Sequence, residues 1–133
     1  MTIAIAIILH PTDRTLLIAQ RKDTAHQGDL WEFPGGKCQD AEAPDVCVVR
    51  ETREETGLEV CVLEAWPTIT YEYPDRTVVL HPFLCRAESG DAQPISSKRI
   101  AWVKPEDLQK YPFPDANKLL LARLLRNAGG FTG

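Results

Sequence analysis

Nothing in this 133-residue chain is long and apolar enough to cross a bilayer as a helix. The longest apolar run, Thr2 to Leu9 (TIAIAIIL), falls well short of the ~20 residues that a spanning helix needs. Neither a positively charged leader nor a cleavage site accompanies it, so it reads as a buried strand with no membrane partner. A basic excess is missing too. The formal charge is −4, which argues against a duplex nucleic-acid binder, whose basic face neutralises phosphates. The four cysteines, at 38, 47, 61 and 85, have no CxxC spacing and no accompanying histidine cluster. That argues against a disulfide framework or a zinc site and for reduced thiols in a cytoplasmic protein. Repeats, low-complexity tracts and long charge blocks are absent as well. One domain spanning residues 1–133 is expected, its 44% hydrophobic content sufficient for one core.

What is present is a regular alternation of strand and turn signals. Residues 2–10 and 14–21 read as strands joined by His10-Pro11-Thr12-Asp13, a hairpin. Lys22 to Asp29 is polar and aperiodic, a loop of the kind that carries ligand contacts. Leu30 to Phe33 is a short strand halted by Pro34 and the Gly35-Gly36 pair, where the chain can turn and bring bare backbone close to a ligand. Glu59 to Tyr73 is β-rich and broken at Trp66-Pro67, and Pro74-Asp75 turns it into a further strand, Arg76 to Arg86. A loop over 87–98, a last strand at Arg99 to Val103 and a short helix opened by Pro105 follow. Asp115 is expected to cap a closing helix to about Asn127, with Leu119, Leu120, Ala122, Leu124 and Leu125 as its buried stripe.

Between these strands, Gly35 to Leu58 concentrates acid. If a helix starts near Pro44 and ends at Gly57, then at about 100° per residue Glu51, Glu54 and Glu55 share roughly a third of its circumference. Like charges at these spacings repel by a few tenths of a kcal/mol per pair. A divalent cation with oxygen ligands would relieve them, and hard Mg²⁺, or Mn²⁺ in its place, suits carboxylates better than zinc does. A helix rich in Glu and Arg is ordinarily a solvated face. Gly36, Glu42 and Arg50 precede these acids.

Gly36, five residues, Glu42, seven residues, then Arg50-Glu51-Thr52-Arg53-Glu54-Glu55-Thr56-Gly57-Leu58 resembles the Nudix box. The departure inside it is Thr52, where the family usually has an aliphatic residue, and a small stability cost is expected there. LWEFPGGK, YEYPDR at Tyr71 to Arg76 and FPDAN at Phe113 to Asn117 resemble the MutT branch. The resemblance implies an α/β (α+β) fold, a mixed sheet sandwiched between helices. It also implies hydrolysis of a nucleoside triphosphate, an oxidised purine such as 8-oxo-dGTP above all, to the monophosphate and pyrophosphate. Carried over, it makes Glu51, Glu54, Glu55 and the Gly36 carbonyl the metal site. Glu51 or its neighbour Glu54 would orient or deprotonate the attacking water, and Arg50 would hold Glu54 in place.

For the base, the resemblance points to Asn117, Phe33, Tyr73, Arg21 and Arg76. An Asn amide offers a donor and an acceptor to a purine edge, and two aromatics could sandwich any base for ~1–3 kcal/mol. Selectivity would therefore fall to Asn117. Many MutT-like members carry an auxiliary glutamate at the position of Ser96, so either Glu51 does all the base work, or Asp91 substitutes, or turnover is weak. The same chemistry on a pyrimidine triphosphate, and a non-catalytic domain recognising an oxidised base or a partner, are the competing readings. The retained acids Glu51, Glu54 and Glu55 speak against the last. Oligomeric state has no signal in the sequence.

Overall fold

The computed structural model describes residues 1–23 and 28–126. Its axis is β1 (Thr2–Leu9), whose successive side chains point to opposite faces. Ile5, Ile7 and Leu9 enter one buried cluster, whereas Ala4, Ala6 and Ile8 enter the other. The first cluster is closed by Leu120 and Leu124 of helix α2 (Asp115–Arg126) and by Leu108 of a 3₁₀ helix at Pro105–Lys110. The second is closed by Cys47 and Val48 of helix α1 (Pro44–Thr56). The small side chains at Ala4 and Ala6 let α1 lie close to the strand. Helices thus cover both faces of one mixed sheet, as the resemblance implied.

Strand β7 (Arg76–Ala87) runs parallel to β1 along its whole length. On its far edge it pairs antiparallel with both β5 (Val60–Ala65) and β6 (Ile69–Tyr73), and Pro74-Asp75 forms the expected turn between β6 and β7. The break between β5 and β6 falls opposite Pro82, whose carbonyl accepts from Trp66 N–H at 2.9 Å. Proline has no N–H to offer on that edge, so interrupting the ladder there strands no donor.

The expected first hairpin takes a different form. Strands β1 and β2 (Leu16–Gln20) share only the pair Leu9↔Leu16 and then part. Into the fork comes the Trp31–Lys37 segment: β3 (Trp31–Glu32) pairs with β2, and β4 (Gly35–Lys37) pairs with β1. Gly35-Gly36, expected as a turn, is therefore a strand, with the chain bent just before it at Pro34. Strand β8 (Arg99–Val103) covers the outer edge of β2. The closing helix also differs in its buried face: Leu120 and Leu124 are fully buried, Leu119 is 50% exposed, and Leu125 and Ala122 are exposed. Asp115 is its first residue rather than a flanking cap, and pairs with Lys118 at 2.9 Å. Asn127, its expected end, lies outside the described residues. No helix among them is long and apolar enough to cross a membrane.

Candidate active site

Local signals set α1 in place. Pro44 occupies its first turn, and Gly57 ends it in the left-handed conformation at φ 75°, donating its N–H to the Arg53 carbonyl at 2.9 Å. The helix is thereby aimed so that Glu51 lies over Gly36: a methyl group at Gly36 would overlap the Glu51 carboxylate. Gly35, at φ 154°, lies so close to β1 that a Cβ there would strike the Ala4 carbonyl. Its N–H donates to Glu55 Oε2 at 3.1 Å.

The ladder also distinguishes the two glycine carbonyls. Ala6 N–H donates to the Pro34 carbonyl at 2.8 Å and Cys38 N–H to the Thr2 carbonyl at 2.9 Å. Gly36 stands opposite Ala4 with the same parity, so its carbonyl faces β1. Gly35 has the opposite parity, and its backbone groups face the acids. The carbonyl on the side of the acids is that of Gly35, one residue before the one expected from the sequence.

Charge is unevenly held among the acids. Burial pushes the Glu55 carboxyl up to about 8, against the opposing bond from Gly35 N–H and with added repulsion from Glu32, Glu51 and Glu54. Burial also raises Glu51, with Arg50 pulling the other way. Arg50 is a hub. Its guanidinium donates to both oxygens of Glu42 at 2.7 and 2.9 Å and to Glu54 at 3.0 Å, and stands 3.2 Å from Glu51. These bonds hold Glu42 down at about 2. The arrangement drains repulsion from one side of α1, whereas Glu55 stands among Glu32, Glu51 and Glu54.

Glu32 in β3 was missed by sequence reading. It lines the same cleft as Glu55, burial raises its carboxyl, and Arg21 at 3.5 Å opposes that rise. A lone acid inside the aromatic run LWEF was the available signal. Thr52, the departure inside the box, is fully buried, and its hydroxyl donates to the Val48 carbonyl at 2.7 Å.

All five residues expected at the base come together. Asn117, Phe33, Tyr73, Arg21 and Arg76 line one cleft of about 560 Å³, which Gly35, Gly36, Glu32 and Glu55 also line. Phe33 is buried against Phe113, ring centres 5.4 Å apart. Tyr73 is 37% exposed, and its ring centre lies 4.9 Å from that of Tyr71 and 5.4 Å from the Arg76 guanidinium carbon. Ser96 lines a smaller cleft of about 180 Å³ that shares Arg21, Glu32 and Glu55 with the larger one. Beside it the Ser97 hydroxyl is buried with no hydrogen-bond partner. Asp91 lines neither cleft. Lys22 joins the small cleft from the loop, of which residues 24–27 lie outside the described set.

Residues 4–123 match the NUDIX domain family. The chain belongs to the Nudix family. Among its relatives, an 8-oxo-dGTP diphosphatase of Escherichia coli K12 is 32% identical over 126 residues, covering 95% of this chain and 97% of the relative. A CTP pyrophosphohydrolase of the same organism is 35% identical over 109 residues, covering 82% and 81%. A structure from work on MutT of Aliivibrio salmonicida and Vibrio cholerae superposes with a TM-score of 0.78 at 27% identity, covering 94% of this chain and 95% of the other. This Nudix domain is a hydrolase by its family, and its acids fit the divalent metal that such hydrolases use. The donors are hard carboxylate oxygens, burial pushes one of them, Glu55, up to about 8, a rise that a bound cation would oppose, and Gly36 clears the space that the Glu51 carboxylate fills. The oxygens of Glu51, Glu54 and Glu55 do not form a group lying wholly within 4.8 Å, because Glu54 is drawn toward Arg50.

Proposed function

We propose that this Nudix domain hydrolyses nucleoside triphosphates, an oxidised purine such as 8-oxo-dGTP first among them, to the monophosphate and pyrophosphate, with Mg²⁺ as its metal. The observation that carries the reading is the single cleft of about 560 Å³ that an amide, two aromatics and two arginines line together with the half-buried acids Glu32 and Glu55. That volume is ordinary for a nucleotide-sized ligand. Asn117 reads the base edge, Phe33 and Tyr73 hold its faces, and Arg21 and Arg76 complete the base pocket. Glu51, Glu54, Glu55 and the Gly35 carbonyl would hold the metal. Bound there, Mg²⁺ supplies the positive charge that lets a phosphate chain approach carboxylates and polarises a phosphoryl oxygen. Glu51, its carboxyl raised by burial, orients the attacking water and accepts its proton, while Arg50 keeps Glu54 and Glu42 in place. With Ser96 at the small cleft, Glu51 carries this role without an auxiliary glutamate.

Pyrophosphate release should be assayed across normal and oxidised triphosphates with Mg²⁺ and with Mn²⁺. A kcat/KM favouring 8-oxo-dGTP supports the reading, and silence across the panel overturns it. A pyrimidine triphosphate is the second reading, favoured by the 35% identity to a CTP pyrophosphohydrolase. A kcat/KM for CTP or dCTP above that for 8-oxo-dGTP selects it.

A further inference from the structure

Next to Arg50, whose guanidinium lies 4.0 Å from Cys47 Sγ, the fold assembles a group that the sequence spacing conceals. The Sγ atoms of Cys38 and Cys47 and a carboxylate oxygen of Glu42 all lie within 4.8 Å of one another. Eight residues stand between the cysteines, but one directly follows β4 and the first turn of α1 carries the other. The intervening loop is pinned. Gln39 N–H donates to Glu42 Oε1 at 3.0 Å, Glu42 N–H to the Gln39 carbonyl at 3.0 Å, and Cys47 N–H to the Ala43 carbonyl at 2.9 Å. Cys47 is buried, while Cys38 and Glu42 are half-buried, so an ion has a way in.

We propose that Cys38, Glu42 and Cys47 form a second metal site, distinct from the carboxylate site and selective for zinc-group cations. Two thiolates and one carboxylate are a soft donor set that prefers Zn²⁺ or Cd²⁺ to Mg²⁺. In a tetrahedral site with Zn–S near 2.3 Å, neighbouring sulfurs stand about 3.8 Å apart, a spacing that these side chains reach by small rotations. The charge also balances. Both thiols lose their protons on binding, so two thiolates, one carboxylate and a divalent ion leave a single negative charge next to the Arg50 guanidinium.

The site acts through Arg50. Glu42 now spends both oxygens on that guanidinium, which also holds Glu54 and stands beside Glu51. Cys47 Sγ in turn lies 3.8 Å from the Gly36 carbonyl. A cation that takes a Glu42 oxygen loosens Arg50 and shifts the acids it braces. Occupancy is therefore inhibitory, a consequence that rests on the proposed hydrolase activity, whereas the site itself does not.

The test is a titration of fully reduced protein with Cd²⁺ in excess Mg²⁺, following the ultraviolet cadmium–thiolate charge-transfer band, released protons and pyrophosphate turnover. Expected are a band saturating at one equivalent, release of two protons and a parallel fall in turnover. Cys38→Ser should keep its Mg²⁺-supported turnover and its Tm, lose the band, and need at least about tenfold more Cd²⁺ for the same inhibition. A wild-type protein with no band at stoichiometric Cd²⁺ overturns the site. Equal inhibition of wild type and Cys38→Ser overturns its regulatory role and assigns inhibition to the carboxylates. A saturating band in a protein with no turnover on any triphosphate overturns the proposed function and leaves the site standing.

Discussion

Glu55 accepts a hydrogen bond from Gly35 N–H, yet its carboxyl is pushed up to about 8 because burial outweighs that bond. Without metal it is held as a neutral acid at neutral pH. Glu55→Gln should therefore raise the Tm of the metal-free protein while cutting kcat by ~10²-fold or more, a loss on the scale of removing a catalytic group. Thermal unfolding in chelator and pyrophosphate release in Mg²⁺ measure the two effects, and a fall in both would show that the carboxyl is structural. Gly36 is constrained for a different reason. Gly36→Ala must displace the Glu51 carboxylate, the movable end of a flexible side chain, so stability should fall by no more than ~1 kcal/mol while turnover falls strongly. Urea midpoints and single-turnover rates separate the two losses.

Within α1, two buried threonines make opposite predictions. Thr52 donates to the Val48 carbonyl, a bond that competes with the helix ladder. Thr52→Val replaces the hydroxyl with a methyl and leaves no group unpaired, so stability should change by less than ~1 kcal/mol with turnover intact. Thr56 donates to the Thr52 carbonyl and also accepts from Leu58 N–H at 3.2 Å. Thr56→Val orphans that N–H and should cost ~1–3 kcal/mol. Urea denaturation of the pair tests the contrast, and equal losses would refute it. The small stability cost expected at Thr52 from sequence is thus limited by a hydrogen bond that the helix itself supplies. Arg50→Lys keeps the charge but loses the fork that spans both Glu42 oxygens. It should lower kcat ~10-fold with KM little changed, since Arg50 braces acids and lines neither cleft. A change confined to KM would argue against the bracing role.

Across the whole molecule, the raised carboxyls of Glu55, Glu51 and Glu32 set the response to pH. Between about 4.5 and about 8 the folded chain keeps a proton on Glu55 that the unfolded chain has lost. Stability of the metal-free protein should therefore fall as pH rises through that window and level off above it. Glu42 has the opposite sign: held at about 2, it contributes stability above about 4.5 that is lost as pH falls toward 2. Metal-free Tm should peak on the acid side of neutrality, and Mg²⁺ should raise Tm more at pH 8 than at pH 6, because it then competes with fewer protons. Thermal melts with and without chelator test this, and a Mg²⁺ increment independent of pH would refute it.

How much of this could be read beforehand depended on the range of the forces. The bounds of α1 and the turn between β6 and β7 follow from Pro44, Gly57 and Pro74-Asp75, which act on their own backbone within a few residues. The Ile and Ala alternation of β1 announced a strand, and Glu51, Glu54 and Glu55 announced a charged helix face, because both are periodicities of a single element. The fork between β1 and β2, the choice of Leu120 and Leu124 over Leu119 and Leu125, the exchange of Gly36 for Gly35 and the meeting of Cys38 with Cys47 were not legible. Each is decided by which distant surface arrives first and excludes water, and the chain alone carries no local penalty for the alternatives. The sequence by itself determined the acids, their helix and the family chemistry they imply. Only the tertiary structure decided which acid is buried, which carbonyl faces it and which side chains share the cleft, because burial and ladder parity exist only once separate segments pack.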